Sequence, residues 1–188
     1  MEIESLGIKG AWLCRFPVFG DERGTFREWY KSDEFLAITG HKFEPEQANI
    51  SHSRKGVVRG IHYSMSIRGQ SKWITCVSGK IKDYVIDIRP NSKTFGKWAQ
   101  IEMNRDSGFS VFIGEGLGHA FISLEDQTTV AYLVSTPFSP TEEYAINPLD
   151  KEIGINWGFN PSELIISDKD ILAPSLEFRR NENSLPFA

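Results

Sequence analysis

Only two of the 188 residues are cysteine, no apolar run approaches the length of a membrane span, and the basic residues form no cluster. Cys14 and Cys76 stand far apart with no CxxC spacing. That pattern excludes a disulfide framework and a thiol-rich metal site, and leaves two reduced structural thiols. A spanning helix takes roughly 18 or more apolar residues in a row, so no membrane partner is expected. The first ten residues, MEIESLGIKG, carry two glutamates and lack the basic and apolar regions of a signal peptide, which makes the cytoplasm the expected compartment. Lys+Arg number 21 against 25 Asp+Glu, a formal net charge of −4. With its cations scattered, the chain has no footprint for a nucleic acid polymer.

What the chain has in quantity is 16 Gly, 9 Pro, 13 Phe, 5 Trp and 5 Tyr, a composition of turns and short strands. At about 100–200 residues per domain, the length fits one core. A single domain over residues 1–178 is expected, with 179–188 read as a polar, mobile tail.

From Lys72 onward, strand-like runs alternate with turn signals. Lys72 to Ser78 stops at Gly79, and Lys80 to Arg89 then alternates, with Tyr84, Ile86 and Ile88 on one side and Asp83, Val85 and Asp87 on the other. Trp98–Met103, Gly108–Ile113, His119–Leu124 and Thr128–Ser135 continue the series. Strands at this spacing predict an all-β antiparallel sandwich or barrel. Helical periodicity is scarce. Lys31 to Ile38 predicts two turns, with Ser32 as N-cap and Gly40 as stop, and Ser162 to Leu172 predicts a second short piece.

Two glycine–histidine arrangements carry more information. Five residues separate Gly56 from His62, and six separate Lys72 from Gly79; five more separate Gly108 from Gly114-Glu-Gly116, which is followed by His119. The spacings resemble the two signature motifs of the cupin superfamily, jelly-roll barrels that often hold one metal with three histidines and a glutamate. Here Ser64 stands at one histidine position and Lys72 at the glutamate position. An ammonium repels a dication and two imidazoles alone make a poor site, so no metal is expected. A lysine there suits chemistry that develops an oxyanion.

Several segments together are similar to a narrower cupin family, the dTDP-4-dehydrorhamnose 3,5-epimerases and their single-centre relatives. They are Phe19-Gly-Asp-Glu-Arg-Gly-Thr-Phe-Arg-Glu28, Gln47-Ala-Asn-Ile-Ser51, Gly56-Val-Val-Arg-Gly-Ile-His-Tyr63, Gly79-Lys-Ile-Lys-Asp83, Asp87-Ile-Arg-Pro-Asn-Ser-Lys-Thr-Phe-Gly96, Gly116-Leu-Gly-His-Ala-Phe121 and Ser167-Asp-Lys-Asp170. The resemblance implies a dTDP-4-keto-6-deoxyhexose substrate and no cofactor. The C4 carbonyl acidifies the protons on C3 and C5, and each centre inverts by losing a proton from one face and gaining one on the other.

The same resemblance assigns residues. His62 matches the base, Asp170 the carboxylate behind it, Tyr132 the acid across the ring, and Lys72 the cation near the carbonyl oxygen. Arg23 and Arg59 match positions that contact the diphosphate and sugar. Gln47, Asn49, Glu28, His119, Glu143 and Lys169 fall at or near substrate-binding positions, and Phe138 stands where relatives stack a ring on thymine. The family forms homodimers with an exchanged N-terminal strand, so Phe19, Phe26 and Glu28 are assigned to the partner's pocket. The negative net charge argues against a duplex but not against a nucleotide bound in a locally basic pocket.

Three departures from the family pattern, Leu117-Gly118 before His119, Ser64 after Tyr63, and Trp73 after Lys72, are expected to border the pocket and to bear on whether C3, C5 or both are inverted. Two other readings stay open at this point: a dTDP-sugar 3,4-ketoisomerase, and a non-catalytic nucleotide-sugar-binding cupin.

Overall fold

Alternation of inward and outward side chains governs the chain wherever it is extended, and this builds a barrel from two facing sheets. The computed structural model describes residues 1–187. In order, the elements are β1 (Glu2–Ser5), β2 (Ala11–Arg15), β3 (Phe19–Asp21), β4 (Gly24–Phe26), α1 (Ser32–Thr39), β5 (Gln47–Ser53), β6 (Val58–Ser64), β7 (Lys72–Ser78), β8 (Lys80–Asp87), β9 (Trp98–Asn104), β10 (Phe109–Ile113), β11 (Leu117–Ser123), β12 (Thr128–Val134) and β13 (Glu143–Ala145). A 3-10 turn (Pro161–Glu163), α2 (Asp168–Ile171) and α3 (Leu176–Asn181) complete the chain. The six-stranded sheet runs β1-β2-β10-β7-β12-β5 and the five-stranded sheet β13-β6-β11-β8-β9, while β3 and β4 form a separate hairpin. The strand ladders are antiparallel, as the all-β jelly-roll expectation requires.

Period-two patterning divides the apolar residues into three clusters. Leu13, Ile74, Cys76, Ile81, Val85, Val111, Ile113 and Val130 fill the barrel between the sheets. Their strand neighbours point the other way. Ile61, Tyr63, Tyr84, Ile86, Ala120 and Ile122 form the outer face of the five-stranded sheet, which Ile146, Trp157, Leu176 and Leu185 cover. Behind the six-stranded sheet, Trp73 and Phe112 pack against Phe16, Phe35 and Phe43. There the Phe35 ring centroid lies 5.0 Å from Trp73 and 4.7 Å from Phe112. Burying one such phenylalanine is worth about 1.5–3 kcal/mol, and this anchors α1 to the sheet.

The six strands expected from Lys72 onward are present with ends within two residues of those expected. Gly40 ends α1 in the left-handed region, its N–H bonded to Leu36 O, but the N-cap is Lys31. Ser32 lies inside the helix with its hydroxyl turned to Asp33. The piece expected from Ser162 to Leu172 is two elements rather than one. Between them Ile165 bridges in parallel to Val57, with Val58 N–H donating to Ile165 O at 3.0 Å and Ile165 N–H to Gly56 O at 2.9 Å. These bonds take the backbone out of helix until Ser167 caps α2.

The polar composition after residue 178 does not make a loose tail. Arg179 Nε donates to Ala145 O, Tyr63 Oη donates to Ser184 O at 2.8 Å, and Leu185 is buried. Ala188, the last residue of that expectation, lies outside the described residues. Both cysteines are free and buried. No helix among the described residues is long and apolar enough to cross a membrane.

Candidate active site

Inward-facing positions of β7 and β12 are apolar deep in the barrel and polar near its mouth, and β5 and β6 add polar side chains to the same walls. On β7, Ile74 and Cys76 belong to the core while Lys72 lines a cavity; on β12, Val130 belongs to the core while Tyr132 lines the same cavity. This outer chamber, about 230 Å³, is bounded by Gln47, Asn49, His62, Gln70, Lys72, Tyr132, Phe138, Glu143, Tyr144 and Lys169 among others. A second chamber shares His62, Lys72 and Tyr132 with it and adds Ser51, Arg59, His119 and Phe121. His62 comes from the five-stranded sheet, whereas Lys72 and Tyr132 come from the six-stranded sheet, so they stand on opposing walls.

His62 Nε2 lies 2.7 Å from Asp170 Oδ1. Asp170 sits at the start of α2 and is buried; the parallel bridge between Val57 and Ile165 brings α2 against β6. The bridge needs Gly56, with φ +80°, because a side chain there would run into the Glu163 carbonyl. Burial works to raise the Asp170 pKa, but the His62 hydrogen bond and charge, the Ser167 hydroxyl and a Gly60 backbone hydrogen bond together hold it below the ordinary value. Asp170 is therefore an ionised partner for the imidazole at neutral pH.

His119 sits directly across the β6–β11 ladder from His62, and its Nε2 lies 2.7 Å from Asp83 Oδ2. Asp83 is fully buried and its Oδ1 has no hydrogen-bond partner. Lys72 Nζ donates to Gln70 Oε1 at 2.6 Å. Burial lowers the Lys72 pKa, partly offset by Glu143. Burial also raises the Tyr132 pKa, against Arg59 and with Glu143, so the phenol stays protonated at neutral pH. Arg59 bridges the two sheets from β6, donating to Ser53 Oγ at 3.1 Å and His52 O at 3.0 Å on β5. Gln47 Oε1 accepts the Phe138 N–H at 2.9 Å, which holds that half-exposed ring at the rim.

The cupin metal position does not fit a metal in this chain. Both imidazoles turn Nε2 toward their own aspartates and Lys72 shares the cavity between them. The described residues contain no group of three or more His, Cys, Asp or Glu side chains suited to a metal ion.

Of the expected site residues, His62, Lys72, Tyr132, Gln47, Asn49, Arg59, His119, Phe138, Glu143 and Lys169 converge on the two chambers, with Asp170 behind His62. Phe19, Arg23 and Phe26 do not join them within one chain. They form the exposed β3–β4 hairpin, where Arg23 pairs with Asp21, and Glu28 follows on the surface beside Lys31. The departures from the family pattern lie elsewhere than expected. Trp73 points into the cluster behind the sheet, Gly118 faces Ile61 and Ile88 on the outer side, and Ser64 lines a separate surface depression. Sequence reading missed Gln70, Ser51, Phe121, Tyr144 and the Asp83–His119 contact. For Asp83 a signal exists, a carboxylate sharing one side of β8 with Val85, and for Gln70 the signal is its i, i+2 relation to Lys72.

Comparisons with known proteins agree with this geometry. Residues 5–177 match the family model described as dTDP-4-dehydrorhamnose 3,5-epimerase. A protein of that name from Mycolicibacterium smegmatis is 42% identical over 186 residues, covering 99% of this chain and 91% of its own. NovW, a 4-keto-6-deoxy sugar epimerase of the novobiocin gene cluster of Streptomyces spheroides, superposes with a TM-score of 0.96 at 37% identity, covering 100% of this chain and 93% of its own. ChmJ, a 3'-monoepimerase from Streptomyces bikiniensis crystallised with dTDP-quinovose, gives 0.92 at 37% identity, covering 98% and 92%. Match length, identity and superposition together show that the chain belongs to the dTDP-4-dehydrorhamnose 3,5-epimerase family.

Proposed function

We propose that the chain epimerises a dTDP-4-keto-6-deoxyhexose next to its C4 carbonyl, in deoxysugar biosynthesis. The observation that carries this reading is the facing arrangement of the His62–Asp170 pair on one sheet and Tyr132 with Lys72 on the other. Inversion needs a base on one face of the sugar ring and an acid on the other. His62 takes the proton from carbon, and ionised Asp170 stabilises the imidazolium that results. The electron pair moves to the C4 oxygen, where Lys72 meets the developing charge. Tyr132 O–H then delivers a proton to the opposite face of the same carbon, and exchange with solvent resets both side chains. The two relatives named above by position share C3, so inversion at C3 is the common element, with C5 as the second centre.

The nucleotide part takes the basic and aromatic rim. Arg59 and Lys169 supply positive charge for a diphosphate, Gln47 and Asn49 supply polar contacts, and Phe138 offers a face for thymine. A homodimer in which the hairpin serves the neighbouring pocket accounts for Phe19 and Phe26, which expose 57% and 68% of their surface, and for Arg23. Two free buried thiols support a reducing, cytoplasmic setting.

Incubation with substrate in D₂O tests the reaction. Deuterium at C3 and C5 is the result for a double epimerase and label at C3 alone for a single-centre enzyme; no solvent label at either carbon overturns the reading. A 3,4-ketoisomerase tolerates Tyr132→Phe, whereas an epimerase loses inversion.

A further inference from the structure

Gln70 is the polar neighbour that Lys72 meets first. Gln70 is 7% exposed and Lys72 is 8% exposed, so both side chains find their partners within the protein. Gln70 Nε2 donates to Thr136 O and to Glu143 Oε1, both at 3.1 Å, while Gln70 Oε1 accepts from Lys72 at 2.6 Å. The reverse orientation would press an NH₂ group against an ammonium and a carbonyl oxygen against two other oxygens. One orientation survives, and it is locked at three points.

The placement matters for charge. Lys72 makes no ion pair among the described residues, although Glu143 is one amide away. A carboxylate in direct contact would compensate the ammonium and compete for it with a developing oxyanion. With no partner at all, the flexible stem would have to be ordered during the reaction. The amide occupies one of three N–H donors, fixes the head group and keeps Glu143 out of direct contact with it.

We propose that Gln70 is a positioning residue for the epimerisation: its amide ties Lys72 to Glu143 and holds the ammonium, free of a direct ion pair, where the carbonyl oxygen of the substrate gains charge. This rests on the epimerase reading above. The charged and titratable groups lining the chambers around Lys72 are His62 and Arg59 from β6, His119 from β11, Tyr132 from β12, Glu143 and Tyr144 from β13 and Lys169 from α2. Lys72 titrates among them, so a change at Gln70 is read in the basic limb of the rate profile.

The experiment compares wild type, Gln70→Met and Gln70→Glu as full chains, measuring kcat, KM and solvent exchange with a dTDP-4-keto-6-deoxyhexose across pH, and dTDP affinity by calorimetry. Gln70→Met removes the tether and is expected to lower kcat by about 10- to 100-fold, because the cation is misplaced by a fraction of a side-chain length. KM and dTDP affinity stay within about threefold, since ground-state binding is untouched. Its basic limb moves to lower pH, the Lys72 ammonium having lost a hydrogen-bond acceptor. Gln70→Glu lowers kcat as well but moves the basic limb to higher pH, because a carboxylate now favours the charged lysine. A residue that only fills space would not shift the limb in opposite senses. Unchanged kcat and an unchanged basic limb in whichever variants fold overturn the proposal and leave the epimerase standing. A wild-type chain that exchanges neither carbon overturns the functional reading, and the proposal with it.

Discussion

His62 and His119 stand directly opposite each other on β6 and β11, and each turns Nε2 to its own aspartate, Asp170 or Asp83, at 2.7 Å. The approach of the two strands that carry them depends on Gly60. It has φ +122°, and a side chain on it would meet Ala120 Cβ at 2.5 Å and His119 O at 2.6 Å. Gly60→Ala is expected to destabilise the fold by about 1–3 kcal/mol, the usual cost of overpacking. Adding Ala120→Gly does not rescue it, because the backbone of Ala120, with Cα at 2.7 Å, still blocks the position. Urea unfolding of the single and double variants checks this; a double variant as stable as wild type would refute it.

The Lys72–Gly79 spacing and the alternation after it are enough to read the strands of the second half, because those runs are bounded by turns and, being buried on both faces over most of their length, are rich in β-branched and aromatic residues. The first half was harder. β5 has outward Ala48, Ile50 and His52 exposed and inward Gln47, Asn49 and Ser51 polar, so no hydrophobic alternation marks it as a strand. At the site, His62 and Lys72 were legible from glycine-framed spacing. Asp170 was legible from family resemblance alone, since 108 residues separate it from His62 and the bridge at Ile165 that joins them is a backbone event. Trp73 misled in the other direction: adjacent strand residues face opposite sides, so its nearness to Lys72 in sequence places it outside the cavity.

Acid stability is expected to depend on Asp87. This fully buried carboxylate accepts from Arg89 Nε and Nη2 at 2.8 Å and from the Ser92 and Thr94 hydroxyls at 2.5 Å. Burial opposes its ionisation, and these bonds outweigh burial to bring the pKa from 3.8 to about 2. A depressed folded-state pKa gives stability that is fully present above the unfolded value and is lost as pH falls through the folded one. The carboxylate therefore contributes about 2 kcal/mol at neutral pH, which fades between the two pKa values. Asp87→Asn should lower stability at pH 7 and flatten the loss between pH 3.8 and about 2, as read by denaturant titrations across pH.

Tyr132→Phe separates proton removal from proton return. The variant keeps the ring and its packing, so His62 can still take a proton from carbon and give back a deuteron on the same face. Solvent label should enter the substrate while inversion falls by about 10²–10⁴-fold, the scale of one positioned acid. Equal loss of exchange and inversion would remove Tyr132 from the role of acid. Asp170→Asn should lower both together, because it weakens the step that starts at His62.

Subunit mixing tests whether the hairpin serves the neighbouring pocket. His62→Ala abolishes the base within its own chain, and Arg23→Ala removes a cation that lies 84% exposed on the β3–β4 hairpin and lines neither chamber of its own chain. On the proposed homodimer, each variant alone should be nearly inactive, the second through weakened diphosphate binding and a raised KM. In the heterodimer one pocket combines both defects, whereas the other has an intact His62 together with an intact Arg23 from its neighbour. Co-refolding the two variants should therefore restore turnover in proportion to the heterodimer formed. Restoration requires the hairpin to cross between subunits; if mixing yields heterodimers with no gain over the separate variants, Arg23 acts in its own chain or not at all.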